Sequence, residues 1–89
     1  MTDTIRLADE LGHQLRAHRE AQGLGKSELA KRAGKVREVV YRLEAGQDTT
    51  VSSLMAVLGA LGLTMQLQRA GLPSALEVAR RFQDEDDAP

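Results

Sequence analysis

The amino-acid sequence predicts an all-α fold, a bundle of four to five helices with one short C-terminal β-strand that pairs across a homodimer. Apolar residues recur every three or four positions over most of the chain, and glycines follow these runs, where helices commonly end. Only 2% of the 89 residues are aromatic, so leucine, valine and alanine must build the core. A chain of this length has room for one core.

Three apolar stripes predict the first three helices. The first stripe consists of Leu7, Leu11 and Leu15, which recur every four residues with polar residues between them. Glycine should end each helix, because it adopts the left-handed backbone of a helix C-terminus at little cost. The predicted spans are 7–22, 26–33 and about 37–45, and the glycines that follow them are Gly23, Gly34 and Gly46.

The fourth helix has the clearest pattern in the chain. Thr50 or Ser52 can accept hydrogen bonds from its first backbone amides, and Gly62 should end it. Its apolar residues fit the spacing i, i+3, i+4, i+7 of one helix face, and they are Leu54, Val57, Leu58 and Leu61.

The apolar period then changes to that of a strand, because Leu63, Met65 and Leu67 alternate with polar residues. A lone strand leaves its backbone amides and carbonyls unpaired, and its simplest partner is the same strand in a second copy. The pattern therefore predicts a dimer strand over residues 63–68. The alternative is that these residues extend the fourth helix or form a loop.

The C-terminal residues predict a fifth helix and an acidic tail. Ser74 and Glu77 have the spacing of a capping box, which opens a short helix that continues to Phe82. Residues 84–89, DEDDAP, should be disordered. Although the net charge is −1, the four acidic residues of this tail leave twelve bases against nine acids in the rest of the chain.

The basic residues are concentrated between positions 26 and 42, where six bases stand beside two acids. Contact with phosphate depends on such a local face and not on the total charge. The alternative is that these helices simply carry solvated surface charge.

Residues 26–45 have the pattern of a helix-turn-helix, whose second helix enters the major groove of DNA while the first crosses the backbone. In this motif Leu29 must pack inward, Ala30 must be small where the next helix crosses, and Gly34 must make the turn. Val40 and Leu43 must hold the second helix against the first. The sequence meets all five requirements.

With its flanks, this window resembles the phage-repressor (Xre-type) helix-turn-helix family, of lambda-repressor-like fold, through LRAHREAQGL, SELAKRAG and VVYRLEAG within residues 11–62. The family commonly joins an arginine of its first helix to the glutamate that closes the recognition helix, and Arg19 and Glu44 match these positions. The resemblance implies a buried or half-buried pair that fixes helix orientation more than it adds stability. The alternative is two exposed surface charges.

The same resemblance implies a face that reads DNA. Arg37, Glu38 and Tyr41 would contact bases, since arginine suits guanine, glutamate can accept from cytosine N4 and tyrosine can pack on a thymine methyl. Phosphate contacts are implied for Lys26, Lys35 and Arg42. The alternative is that all six are ordinary solvated residues.

Three positions depart from the family pattern. Gly25 and Val36 stand where a serine or threonine often caps the second and third helices, and Lys35 replaces a usual apolar residue. A missing cap costs about 0.5–2 kcal/mol, though much less at a glycine. We therefore expect a third helix that is less rigidly held than in the family.

The segment ALGLTMQLQ, residues 60–68, is similar to HipB-like antitoxins, in which such a strand pairs across the dimer. This similarity implies two recognition helices ~34 Å apart that read a palindrome, together with a toxin partner. The expected organisation is a helix-turn-helix DNA-binding domain over 1–62, a dimerisation strand and short helix over 63–83, and the tail over 84–89.

Two functions compete: a repressor or autoregulator that binds double-stranded DNA, and an antitoxin whose main role is to neutralise a toxin protein. Catalysis is not expected. His13 and His18 lie about 140° apart around a helix and cannot share a metal ion, and the chain has no cysteine. We expect no cofactor or metal. The N-terminal MTDTIRLADE lacks a signal peptide and no apolar run could span a membrane, so we expect a cytoplasmic protein.

Overall fold

A computed structural model describes residues 4–70, which form four helices. They are α1 (Ala8–Ala21), α2 (Lys26–Ala33), α3 (Arg37–Glu44) and α4 (Val51–Ala60). Helix α3 packs against α1 and α2, and α2 also packs against α4. The helical bundle predicted from the sequence is therefore confirmed for this part of the chain. The predicted fifth helix over 74–82 and the tail over 84–89 lie outside the described residues.

Aliphatic side chains from every helix fill one core, as the scarcity of aromatic residues predicts. Each side chain of this size contributes about 1.5–3 kcal/mol when it is fully buried. The buried apolar residues are Leu15, Leu24, Leu29, Ala30, Val40, Leu43, Val57, Leu58 and Leu61. Because they come from all four helices and the segments that follow α1 and α4, no helix can leave the bundle without exposing apolar surface.

The first helix starts one residue later than its apolar stripe predicts. Leu7 has extended backbone angles, φ −124° and ψ 154°, and 62% of it is exposed. Its backbone N–H donates to Oε1 of Glu10 at 2.9 Å, so the residue precedes the helix and is bonded by a side chain. The prediction that Leu7 belongs to the inward stripe is therefore wrong. The buried face of α1 consists of Gly12, Leu15 and Arg19.

A glycine with positive φ follows each of these four helices. For the site, the important one is Gly34, with φ 69°, a conformation that strains residues with a Cβ. Its N–H donates to the Lys31 carbonyl at 3.1 Å, and the Lys35 N–H donates to the Ala30 carbonyl at 2.9 Å. These two hydrogen bonds form a Schellman motif, which ends α2 and lets α3 begin in a new direction.

The two ends of the fourth helix decide two alternatives that the sequence leaves open: which residue caps the helix, and whether it extends into residues 63–68. Thr50 is its cap: Oγ1 of Thr50 accepts from the Ser53 N–H at 3.1 Å and donates to the Ser53 Oγ at 2.8 Å. The helix ends at Ala60, so the interpretation of residues 63–68 as a helical extension is wrong. In the single chain residues 63–69 have no assigned helix or strand, and pairing across a dimer stays a prediction.

Candidate nucleic-acid interface

The relative orientation of α2 and α3 is set by buried side chains between them. Leu29 is 0% exposed and Val40 is 1% exposed, and Ala30 and Leu43 are also buried. Close packing of this kind leaves little freedom for one helix to rotate against the other. The opposite face of α3 consequently points away from the bundle.

A buried ion pair joins α1 to the C-terminal end of α3. The Arg19 Nε and Nη2 atoms donate to the two carboxylate oxygens of Glu44 at 2.6 Å and 3.0 Å. The Nη1 atom of Arg19 donates to the Leu24 carbonyl at 2.9 Å. The two side chains are only 9% and 6% exposed, so the alternative of two exposed surface charges is wrong. The pair fixes where α3 ends relative to α1.

Arg19 keeps its positive charge in this buried position. The hydrogen bond to Glu44 raises the pKa of Arg19, and this effect outweighs the opposite effect of burial. The guanidinium therefore stays protonated throughout the pH range in which proteins are handled. Because both carboxylate oxygens accept from it, the removal of either partner would leave a buried charge without its counterion.

Two glycines allow α1 to approach the end of α3, and sequence reasoning missed both roles. A Cβ on Gly12 would lie 2.5 Å from the Glu44 carbonyl oxygen and 2.6 Å from that of Leu43. At Gly46, which has φ +73°, a Cβ would lie 2.9 Å from the Cα of Asp9. The available signal was Gly12 itself, a glycine inside a helical pattern, which often marks close backbone packing.

The outward face of α3 carries the residues that the sequence assigns to DNA. Arg37, Glu38, Tyr41 and Arg42 are all exposed. The Lys26 Nζ lies 4.1 Å from the centroid of the Tyr41 ring, and the Arg37 Cζ lies 5.2 Å from the same centroid. The first residues of α2 and α3 are thus brought together over one aromatic ring. We call Lys26, Arg37 and Tyr41 the cation–ring cluster.

Beside this cluster, exposed ion pairs hold other charges in place. Glu38 pairs with Arg42 one turn later at 3.6 Å, and Glu28 pairs with Arg32 at 3.8 Å. Exposed pairs of this kind stabilise a fold by less than about 1 kcal/mol and break easily. Arg42 lies near one carboxylate oxygen of Glu38, and a carboxylate has about four acceptor positions, so Glu38 keeps the capacity to accept from a further donor. Lys35 is half-buried in the turn between the two helices.

The two departures from the family's capping pattern are visible. Gly25 and Val36 are the N-caps of α2 and α3, and neither makes a side-chain capping hydrogen bond. The first amides of α3 consequently have no side-chain acceptor at the cap, as expected from the sequence.

Within residues 4–70, no group of three or more acidic or histidine side chains is placed to hold a metal ion. No helix in that range is long and apolar enough to cross a membrane.

Comparison with known proteins decides the family. A family model described as a helix-turn-helix domain matches residues 10–72, which is more than half of the chain. The chain belongs to the helix-turn-helix domain family. It is an Xre/HipB-like DNA-binding transcriptional regulator, of a kind that is typically not enzymatic. No curated protein matches it.

Solved structures similar to this helix-turn-helix regulator include HipB complexes. A chain of the HipA–HipB–O2–O3 complex is 27% identical with a TM-score of 0.72, and the match covers 79% of this chain and 100% of that chain. The HipB–O4 20mer complex gives 27% identity, a TM-score of 0.73 and the same coverage. The restriction-modification controller protein C.AhdI from Aeromonas hydrophila is 29% identical with a TM-score of 0.60, over 64% of this chain and 88% of that one.

The regulator's predicted site residues fall into three groups. Lys26, Arg37 and Tyr41 form the cation–ring cluster, with Glu38 and Arg42 paired next to it, whereas Lys35 lies in the turn. The residues of the predicted dimer strand lie apart from these. Leu63 packs on the core, while Met65 and Leu67 are 46% and 88% exposed. Sequence reasoning did not find the contact of Tyr41 with both cations, since Lys26 is 15 positions away on another helix, although Arg37 is only one turn away.

Proposed function

We propose that this regulator is a repressor or autoregulator that binds a palindromic operator in double-stranded DNA as a homodimer. The observation that carries the proposal is the division of α3 into two faces. Val40 and Leu43 are buried on one face, while Arg37, Glu38 and Tyr41 are exposed on the other. A helix held from behind with donors and acceptors in front suits major-groove reading.

The proposed contacts divide into specific and general ones. Arg37 makes a bidentate contact to guanine, Glu38 accepts from cytosine N4, and Tyr41 packs on a thymine methyl or bonds a phosphate. Lys26, Lys35 and Arg42 contact phosphates and set affinity without selecting sequence. Support for this division comes from position, since Arg37 and Tyr41 lie on the exposed face of α3 and Lys26 begins the neighbouring helix.

The homodimer is proposed from the segment after α4. Met65 and Leu67 alternate with polar residues and expose much of their apolar surface in the single chain. If residues 63–68 paired with the same residues of a second copy, the two backbones would hydrogen-bond to each other and these side chains would be covered. Such a dimer would set two recognition helices about one turn of DNA, ~34 Å, apart.

A salt-dependent mobility-shift assay on DNA upstream of the protein's own gene tests the proposal. We expect specific binding with a Kd of about 100 nM or tighter at physiological salt, the range typical of such sites. Affinity should fall as salt rises, because each neutralised phosphate releases a counterion. The absence of specific binding at this concentration to every upstream palindrome would contradict the proposal.

The division of contacts has its own test. Arg37→Ala should relax the preference at one base pair of each half-site, at a cost of about 1–3 kcal/mol on cognate DNA. Lys26→Ala should weaken cognate and random DNA alike and lower the salt slope by about 1. If both variants lose the same affinity on both DNAs, the assignment is wrong.

The second candidate function is an antitoxin whose main role is to hold a toxin protein. The observation that favours it is the match to HipB over 79% of this chain and the whole of that one, in a complex that also contains HipA. The neighbouring reading frame identifies the partner to be tried. Co-purification of its product with this protein supports the antitoxin function, and failure to co-purify removes it.

A further inference from the structure

We propose that Tyr41 is a positioning residue, whose ring, and not its hydroxyl, holds Lys26 and Arg37 ready on the DNA-reading face. This inference rests on the proposed function and names the residue that organises its specificity. The Lys26 Nζ and the Arg37 Cζ lie 4.1 Å and 5.2 Å from the ring centroid. Both distances are within the ~6 Å at which a cation is attracted to an aromatic ring.

The cluster joins three separate positions of the motif. Lys26 is the first residue of α2, and Arg37 is the first residue of α3. Tyr41 lies one turn beyond Arg37 on the same helix, at the i, i+4 spacing at which side chains meet. One ring therefore connects the leading ends of both helices from outside, while the buried leucine and valine side chains connect them from inside.

The ring also offsets a repulsion. Lys26 and Arg37 carry like charges and approach the same centroid, so without the ring each would gain by moving into solvent. An aromatic ring attracts cations over its electron-rich faces. Both cations can thus remain at the ring, from which one is proposed to reach a base edge and the other a phosphate.

Carboxylates do not fill this role in the part of the chain that the structure describes. The nearby acids are committed elsewhere, since Glu38 pairs with Arg42 and Glu28 pairs with Arg32. None of the ion pairs found within residues 4–70 includes Lys26 or Arg37. The Tyr41 ring is accordingly the charge-complementary contact of both side chains.

Restricting the side chain before DNA binds matters most for Arg37. A bidentate contact to guanine requires the plane of the guanidinium to be aligned with the base edge. A long side chain that is already restricted loses less freedom when it binds. Tyr41 therefore affects sequence preference through Arg37 and general affinity through Lys26.

The first experiment compares Tyr41→Phe with Tyr41→Leu in the full chain. The chain contains one tyrosine, one phenylalanine and no tryptophan, so the ring-current shift at Lys26 and Arg37 can be assigned to Tyr41. In the free protein, NMR should show the methylene protons next to both cationic groups shifted upfield. The shift should persist in Tyr41→Phe and vanish in Tyr41→Leu.

DNA binding provides the second readout. Tyr41→Leu should weaken operator binding by about two- to tenfold for each cation released, because each freed side chain must then be ordered when DNA binds. Tyr41→Phe keeps the ring, so its loss of operator affinity should be clearly smaller than that of Tyr41→Leu. If Tyr41→Phe loses as much affinity as Tyr41→Leu, the hydroxyl is the active group and the proposal is overturned. If both variants unfold at the same temperature as the original chain, neither loss of affinity comes from misfolding.

A double-variant cycle separates positioning from direct contact. If Tyr41 acts through Arg37, part of the effect of Tyr41→Leu should disappear when Arg37→Ala is already present. Full additivity of the two changes would overturn the proposal, because Tyr41 would then act on DNA independently of Arg37. If the original chain binds no specific DNA, the proposed function fails, whereas the ring-current result still tests the cluster by itself.

Discussion

Residues 26–44 and residues 63–70 both carry patterned apolar side chains, but the structure treats the two regions differently. In the first region Leu29 and Val40 are almost completely buried, whereas in the second Met65 is 46% exposed and Leu67 is 88% exposed. Helices of the same chain cover the first region on its inner side. The comparison teaches that one pattern is completed within a single chain, whereas the other leaves apolar surface exposed, which the proposed dimer would cover.

The largest effect should come from breaking the polar contact that locks the first region. Glu44→Ala leaves Arg19 buried without its counterion, and we expect a loss of about 3–5 kcal/mol in the free energy of unfolding. Glu28→Ala, which removes an exposed partner of Arg32, is the matched control and should cost less than about 1 kcal/mol. Urea denaturation measures both. Equal losses would show that the buried pair does not hold α3 in place.

A charge introduced into the second region should weaken the proposed dimer without unfolding the helical bundle. Leu67→Lys places a cation where the proposed dimer buries an apolar side chain, and dimer affinity should fall by about 2–3 kcal/mol. The stability of the helical bundle should stay within about 0.5 kcal/mol, as for an exposed substitution.

Gln66→Lys adds the same charge to the adjacent residue, which a strand would place on its opposite face. Light scattering over a concentration series compares the two variants. A dimer that survives Leu67→Lys as well as it survives Gln66→Lys would contradict pairing through the Leu67 face.

Two glycine-to-alanine substitutions should change the stability of the protein in opposite directions and test how closely α1 packs against the end of α3. Gly12→Ala forces a methyl group against the carbonyls that end α3, so we expect a loss of about 1–3 kcal/mol. Gly59→Ala meets nothing within 4 Å and lies inside α4, where alanine should stabilise the helix by up to about 1 kcal/mol. Thermal unfolding reports both signs. If Gly12→Ala also stabilises, the close approach of α1 and α3 is wrong.

The sequence predicted what depends on neighbouring residues. Helix spans, the left-handed turn at Gly34 and the cap at Thr50 follow from local spacing and local hydrogen bonds. The close approach at Gly12 depends on carbonyls more than thirty positions away, and the approach of Lys26 to Tyr41 depends on the angle between two helices. Neither leaves a periodic signal.

Prediction of the second region had a different limit. Leu63, Met65 and Leu67 alternate with polar residues as in a strand. The partner strand that the prediction requires is not part of the same chain. At the N-terminus, Leu7 fitted the helical period but lies before the helix, because the Glu10 carboxylate bonds its amide.

The smallest predicted effect concerns the start of the recognition helix. Val36→Ser supplies the acceptor that the N-cap of α3 lacks, and it should stabilise the protein by about 1 kcal/mol. Gly25→Ser makes the same change at the start of α2 but should add only a few tenths of a kcal/mol, because glycine is itself a tolerable cap.

Both cap variants can be measured by urea denaturation and by binding to the same operator. If fraying of α3 weakens DNA binding, Val36→Ser should raise stability and operator affinity together, whereas Gly25→Ser should change neither appreciably. A gain in stability without a gain in affinity would show that α3 is already fully formed in the free protein. The arrangement of Lys26, Arg37 and Tyr41 over its first turn would then be enough to hold the recognition helix ready for DNA.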